Sequence, residues 1–135
     1  YNANRASAWD ITPYAETIVL DSDYVVNSNQ LNLLFEQPHD FLCHRHAYDI
    51  ADKNSLVGFD TFSKTRLPHF WATVLFFRTT DRAKEIFDLI EMIRDNYDHY
   101  AELYGFQRTP FRNDYAVTIA QSINYGHVLD AIPSI

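Results

Sequence analysis

The stretch from Phe70 to Arg78 is the part of this chain that most limits what it can fold into. Its aromatic and β-branched residues favour extended backbone. Thr80, just beyond it, is placed to cap a helix. Ala83, Phe87, Ile90, Tyr97 and Tyr104 then recur along one helical face. The pattern predicts a strand over 70–78 and a long helix over about 81–104, stopped at Gly105. For Phe76 and Phe77 the reading is plain core.

The rest of the chain adds shorter pieces in an α/β order. Residues 3–10 can form a short helix with Ala6, Ala8 and Trp9 on its apolar side. Ile18-Val19-Leu20 reads as a strand with apolar side chains on both faces, which fits a strand covered on both sides, as in a parallel sheet. Asn27 or Ser28 can cap a helix over 29–36, with Leu31, Leu34 and Phe35 on one face and Pro38 as its stop. Phe41 to Tyr48 reads as a strand, and 52–68 as a polar loop or hairpin containing Gly58, Lys64, Arg66 and Pro68. Asn113 can cap a last helix over 114–124, ending near Gly126. The predicted architecture is one α/β domain with a mixed sheet and flanking helices.

Composition narrows the function classes. With 135 residues one domain is expected, and 47% hydrophobic and 16% aromatic residues are globular values. Three glycines leave no Gly-rich phosphate loop, and a net charge of −7 opposes general affinity for nucleic acid or anionic membrane. Cys43 is the sole cysteine, so no intrachain disulfide can form and a cytoplasmic setting is expected. No apolar run reaches the length of a transmembrane segment. The start at Tyr1 and the apolar end Ala131-Ile132-Pro133-Ser134-Ile135 suggest a piece of a longer protein.

The chemistry-bearing feature is Asp21-Ser22-Asp23, at the carboxyl end of the Ile18 strand. Ligand sites of α/β sheets gather at such ends. Two hard carboxylate donors there suit Mg²⁺ or Mn²⁺ held against a diphosphate. A bare Asp-x-Asp is also a common polar turn, so the flanking residues decide between the two.

Those flanks carry a resemblance. Thr12-Pro13-Tyr14-Ala15-Glu16-Thr17-Ile18-Val19-Leu20-Asp21-Ser22-Asp23-Tyr24-Val25-Val26 resembles the S/T-P-Y/F … T-hydrophobic-hydrophobic-L-D-x-D segment of GT-A-type glycosyltransferases, of the glycogenin-like and lipopolysaccharide-sugar-transferase kind. Leu67 to Arg78 resembles a second segment of that family, with Trp71 where the family often has Asn and Thr73 where it often has Gly. Arg112-Asn113-Asp114-Tyr115-Ala116 resembles its later helix start. The resemblance runs over roughly residues 5–126.

It implies a partial GT-A fold, lacking part of the N-terminal nucleotide-binding half and the C-terminal end, with apolar sheet surface left open to self-association. It implies a nucleotide-diphosphate sugar donor, with a glycan, lipid or protein acceptor. It further implies Asp23 on Mn²⁺ or Mg²⁺, Asp21 on the metal or the ribose, and Ser22, Trp71 and Thr73 beside the donor. Asp114 would orient the sugar or acceptor as the catalytic residue, and His127 is the nearest candidate for a third metal ligand.

Other constellations are weaker. In Cys43-His44-Arg45-His46 the cysteine and the histidines point to opposite sides of a strand, a poor zinc geometry. Glu85, Asp88, Glu91 and Asp95 read as a solvated helix face, with Arg82 and Arg94 interspersed. Two rival functions use the same residues. One is a nucleotidyltransferase or another metal-dependent phosphate enzyme. The other is a non-catalytic glycan-binding or scaffold domain using Trp71, Tyr97 and Tyr100.

Overall fold

A computed structural model of the chain describes residues 4–46 and 61–135. The predicted central strand is β5, Trp71–Arg78, and it lies between β1, Glu16–Leu20, and β2, Phe41–His44. Both pairings are antiparallel, with Leu20 opposite Val74 and Phe41 opposite Phe77. The three-stranded sheet is therefore antiparallel and not the mixed sheet expected. Apolar residues on both faces of β1 report that each face is covered, and carry no information on pairing direction.

Two different layers cover those faces. Val19, Cys43, Leu75 and Phe77 belong to the main core, with the helices on that side. Ile18, Leu20, Leu42, Val74 and Phe76 form a smaller cluster under Leu31 and Leu34 of a 3-10 helix, Gln30–Glu36. Residues 30–36 thus form a tighter helix than predicted, which buries Leu34, half-buries Leu31 and leaves Phe35 exposed. Near the amino terminus, a 3-10 turn, Arg5–Ser7, leads into α1, Ala8–Ile11. Trp9 of α1 sits 5.9 Å from the rings of both Phe77 and Phe87.

The long helix forms where predicted but is divided. Thr80 accepts the Ala83 N–H at the start of α2, Asp81–Asp95. α3, Tyr97–Tyr104, ends at Gly105 in the left-handed conformation, φ 71°. Asn96 makes the break: its backbone N–H and its side-chain Nδ2 both bond the Met92 carbonyl. An Asn side chain competes for helix carbonyls in this way and ends the run. Ala83, Phe87, Ile90, Tyr97 and Tyr104 are all buried. On the far face Lys84 pairs with Asp88, and Arg94 with Glu91 and Asp95.

α4, Asn113–Asn124, packs on α2 and on β5. Seven consecutive residues, Ala116 to Ser122, are buried, so this helix runs through the core and is not a surface helix. Asn113 is its first residue, and no side chain caps it. A two-stranded hairpin, β3, Thr61–Phe62, with β4, Leu67–Pro68, completes the described elements. Tyr48 and Gly58 lie outside the described residues.

Candidate functional site

β1 ends at Leu20, and Asp21 begins a turn in which the Tyr24 N–H donates to the Asp21 carbonyl at 3.0 Å. The Asp21 N–H donates to the carbonyl of Thr73 at 2.9 Å. The antiparallel register thus sets the carboxyl end of β1 beside the amino end of β5. α4 arrives at the same place. The strand register shifts between Cys43, opposite Leu75, and His44, opposite Trp71. The Ala72 N–H lies within that irregular stretch and donates to Oδ1 of Asp114 at 2.9 Å. Arg112 donates to Oδ2 of the same carboxylate at 3.1 Å. Asp114 therefore stands beside the carboxyl end of β1, where Asp21 lies, and at the amino end of β5.

Asp21 and Asp114 line one cavity of about 520 Å³. Its volume lies within the range of roughly 300–1,000 Å³ usual for small-molecule sites. Arg5 joins them in the wall, and Gln107, Phe111, Arg112 and Tyr115 face them. The Arg5 side chain is 5% exposed and donates through Nη2 to Oδ1 of Asp21, whose side chain is 35% exposed. Burial lowers the pKa of Arg5, and the charges of Asp114 and Asp23 partly offset that. Three carboxylates thus gather around one buried cation.

Arg5 was not legible as a site residue. Periodicity marks the apolar side of its short helix, but nothing local announces its partner. The one usable signal is that Arg5 is the only Lys or Arg ahead of Arg45. The loop residues Gln107 and Phe111 were missed as well. Tyr97 holds that loop in place: its ring lies 4.8 Å from Phe111 and its hydroxyl accepts the Arg112 N–H.

The remaining candidates are dispersed. Ser22 and Asp23 are exposed on the turn, and Asp23 is not part of the cavity wall. Thr73 supports Asp21 through its carbonyl, while its hydroxyl is buried without a hydrogen-bond partner among the described residues. Trp71 packs at 4.5 Å against the His69 ring, away from the cavity wall. His127 lies beyond the opposite end of α4, a helix of twelve residues or roughly 18 Å. Its Nε2 pairs there with the Tyr104 hydroxyl at 3.2 Å. The structure brings Asp21 and Asp114 together and leaves His127 apart from them.

The side chains of the rival readings do not converge either. Tyr97 is buried, and Tyr100 stacks on Tyr104 on the α3 surface. Cys43 is fully buried, with Gln121 Nε2 at 2.8 Å from its sulfur, whereas His44 stacks on Tyr24.

Carboxylate oxygens are the donor type that hard divalent cations take. In the cavity wall Asp21 and Asp114 balance the guanidiniums of Arg5 and Arg112, and Asp23 adds a negative charge outside it. Among the described residues no three His, Cys, Asp or Glu side chains are placed as a complete ligand set. Mg²⁺ sites commonly use one or two protein carboxylates, with water and substrate phosphate supplying the rest. No helix among the described residues is long and apolar enough to cross a membrane. No family model matches the chain, and neither a curated protein nor a solved structure matches it significantly.

Proposed function

We propose that this chain forms the donor-sugar side of a GT-A-type, metal-dependent glycosyltransferase that uses a nucleotide-diphosphate sugar. The observation that carries the reading is the meeting of Asp21 and Asp114 in the wall of one cavity. These two residues lie far apart in the sequence, and each stands in a segment that resembles that family.

The two carboxylates of Asp21-Ser22-Asp23 differ in exposure, and their roles follow. Asp23 is exposed and free of desolvation, which suits it to a cation shared with a diphosphate. A bound Mg²⁺ or Mn²⁺ would stabilise negative charge on the departing diphosphate. Asp21 is fixed at its backbone by Thr73 and at its carboxylate by Arg5, so it presents a preorganised acceptor to sugar hydroxyls in the cavity. Asp114 and Arg112 stand in the same wall and orient the sugar or acceptor from α4. Holding reactants in such fixed geometry supplies much of the rate in transfer reactions.

Product identity tests the reading. With a panel of nucleotide-diphosphate sugars and Mn²⁺, turnover should release a nucleoside diphosphate, and Asp23→Asn should abolish the release. Pyrophosphate formed from a nucleoside triphosphate and a sugar phosphate would instead make the protein a nucleotidyltransferase.

A further inference from the structure

Phe111 sets a half-buried apolar ring in a cavity wall made largely of charged and amide side chains. Tyr97 meets that ring edge to face at 4.8 Å. Tyr97 is buried and is not part of the wall, so it supports Phe111 from the side away from the cavity. Phe106 packs on Tyr97 in turn at 5.4 Å, and the Tyr97 hydroxyl accepts the Arg112 N–H beside the ring. Tyr115, the other aromatic residue of the wall, is already covered. Phe62 stacks on it at 4.5 Å, and the Arg112 guanidinium lies 5.1 Å from its centroid. Among the described residues no ring other than Tyr97 lies against Phe111. Phe111 is thus a ring held in place on one side and open to the cavity on the other.

The charges of the wall supply an independent constraint. Arg5 pairs with Asp21 and Arg112 with Asp114, and these four are all its charged residues. A charged ligand entering the cavity would lose hydration and find each opposite charge already paired. Uncharged hydroxyl groups fit better. An ion-paired carboxylate still has lone pairs to accept an O–H, and the exposed Gln107 amide both donates and accepts.

A pyranose ring has the matching character: a face of C–H bonds and a rim of neutral hydroxyls. Resting on the glycosyltransferase reading, we propose that Phe111 is the platform of an acceptor subsite, and that the acceptor is an uncharged saccharide. The platform belongs to the loop between α3 and α4, across the cavity from Arg5 and Asp21. It lies outside the three segments that resemble the family.

The test is saturation-transfer NMR on the full chain, with chelator present and nucleotide absent. The probes are maltose, lactose, mannobiose and chitobiose. Glucuronate tests charge, and uridine and adenosine test the other planar ligands that stack on aromatic rings. At least one disaccharide should bind, with transfer strongest at the C–H protons of one ring face. Glucuronate and the nucleosides should bind at least about tenfold more weakly. Phe111→Ala should weaken the saccharide by about tenfold, and Phe111→Tyr should retain it. Thermal melts show whether Phe111→Ala folds. Thr109→Trp is the second variant: it fills the same wall from an exposed position and should block binding. Failure of all four disaccharides, parent-like binding in Phe111→Ala and Thr109→Trp, or a nucleoside or glucuronate bound in preference would overturn the inference. These measurements contain neither metal nor donor, so they fail separately from the transferase reading. Turnover onto a protein or lipid with no saccharide bound would leave that reading intact and overturn the acceptor subsite.

Discussion

Asp114 joins structure and chemistry in one carboxylate. Its Oδ1 takes the Ala72 N–H, which ties α4 to β5, and its Oδ2 pairs with Arg112 at the cavity. The two jobs separate by substitution. Asp114→Ala leaves the Ala72 donor unpaired in a partly buried place and should cost about 1–3 kcal/mol of stability. Asp114→Asn keeps an acceptor for Ala72 but loses the charge. It should keep stability and metal-dependent nucleotide binding near the parent while turnover drops strongly. Parent-like turnover in Asp114→Asn would confine the residue to its structural task.

His69 behaves oppositely, as a buried group with no charge to spare. It is 1% exposed, among the rings of Phe62, Trp71 and Tyr115. Burial pushes its pKa down to about 4, with Asp114 opposing the shift and Arg112 and Arg45 adding to it. The unfolded chain protonates this histidine near the ordinary 6.5. Between the two values the unfolded state binds more protons, so stability falls as pH drops from about 6.5 towards 4. The change amounts to at most about 3 kcal/mol. Urea unfolding across that interval should show a shallower loss in His69→Gln, and parallel pH profiles for variant and parent would contradict the assignment.

At the scale of elements, direction of pairing and helix continuity were the two properties that sequence did not reveal. β5, the Thr80 cap and the Gly105 stop were legible because each rests on local chemistry: β-branching, a hydroxyl acceptor and a positive φ. The antiparallel sheet was not, because apolar spacing records which faces are covered and says nothing of the neighbour's direction. The break at Asn96 was hidden because buried residues continue on both sides of it.

Arg78 shows how the elements are fastened. It stands opposite Glu16 in the β1–β5 register and pairs with it at 2.9 Å. Its other nitrogens reach the carbonyls of Phe35 and Gln37, and its guanidinium lies over Phe76. One planar fork therefore joins β1 and β5 to the carboxyl end of the 3-10 helix. Arg78→Met keeps the stem but not the donors, and should lose about 1–3 kcal/mol in chemical denaturation. Arg78→Lys should rescue little, since a single ammonium cannot reproduce the fork. A parent-like midpoint for Arg78→Met would show that these bonds merely replace water.

Across the whole molecule, the candidate site was half legible. Asp21, Asp23 and Asp114 stood out because carboxylates at a strand end and at a helix start are local patterns. Arg5, Gln107 and Phe111 did not, because tertiary packing and no local pattern brings their segments to the same cavity. His127 is the converse case: a metal-ligand residue type that lies beyond the far end of α4 from Asp114, beside Tyr104.

The account's central claim is that the turn after β1 holds a cation against a diphosphate. Isothermal titration of UDP into the protein, with Mn²⁺ and then with a chelator in its place, measures that most directly. The account predicts binding at least about tenfold tighter with Mn²⁺, and loss of most of that difference in Asp23→Ala. Equal UDP affinity with and without the metal would contradict it.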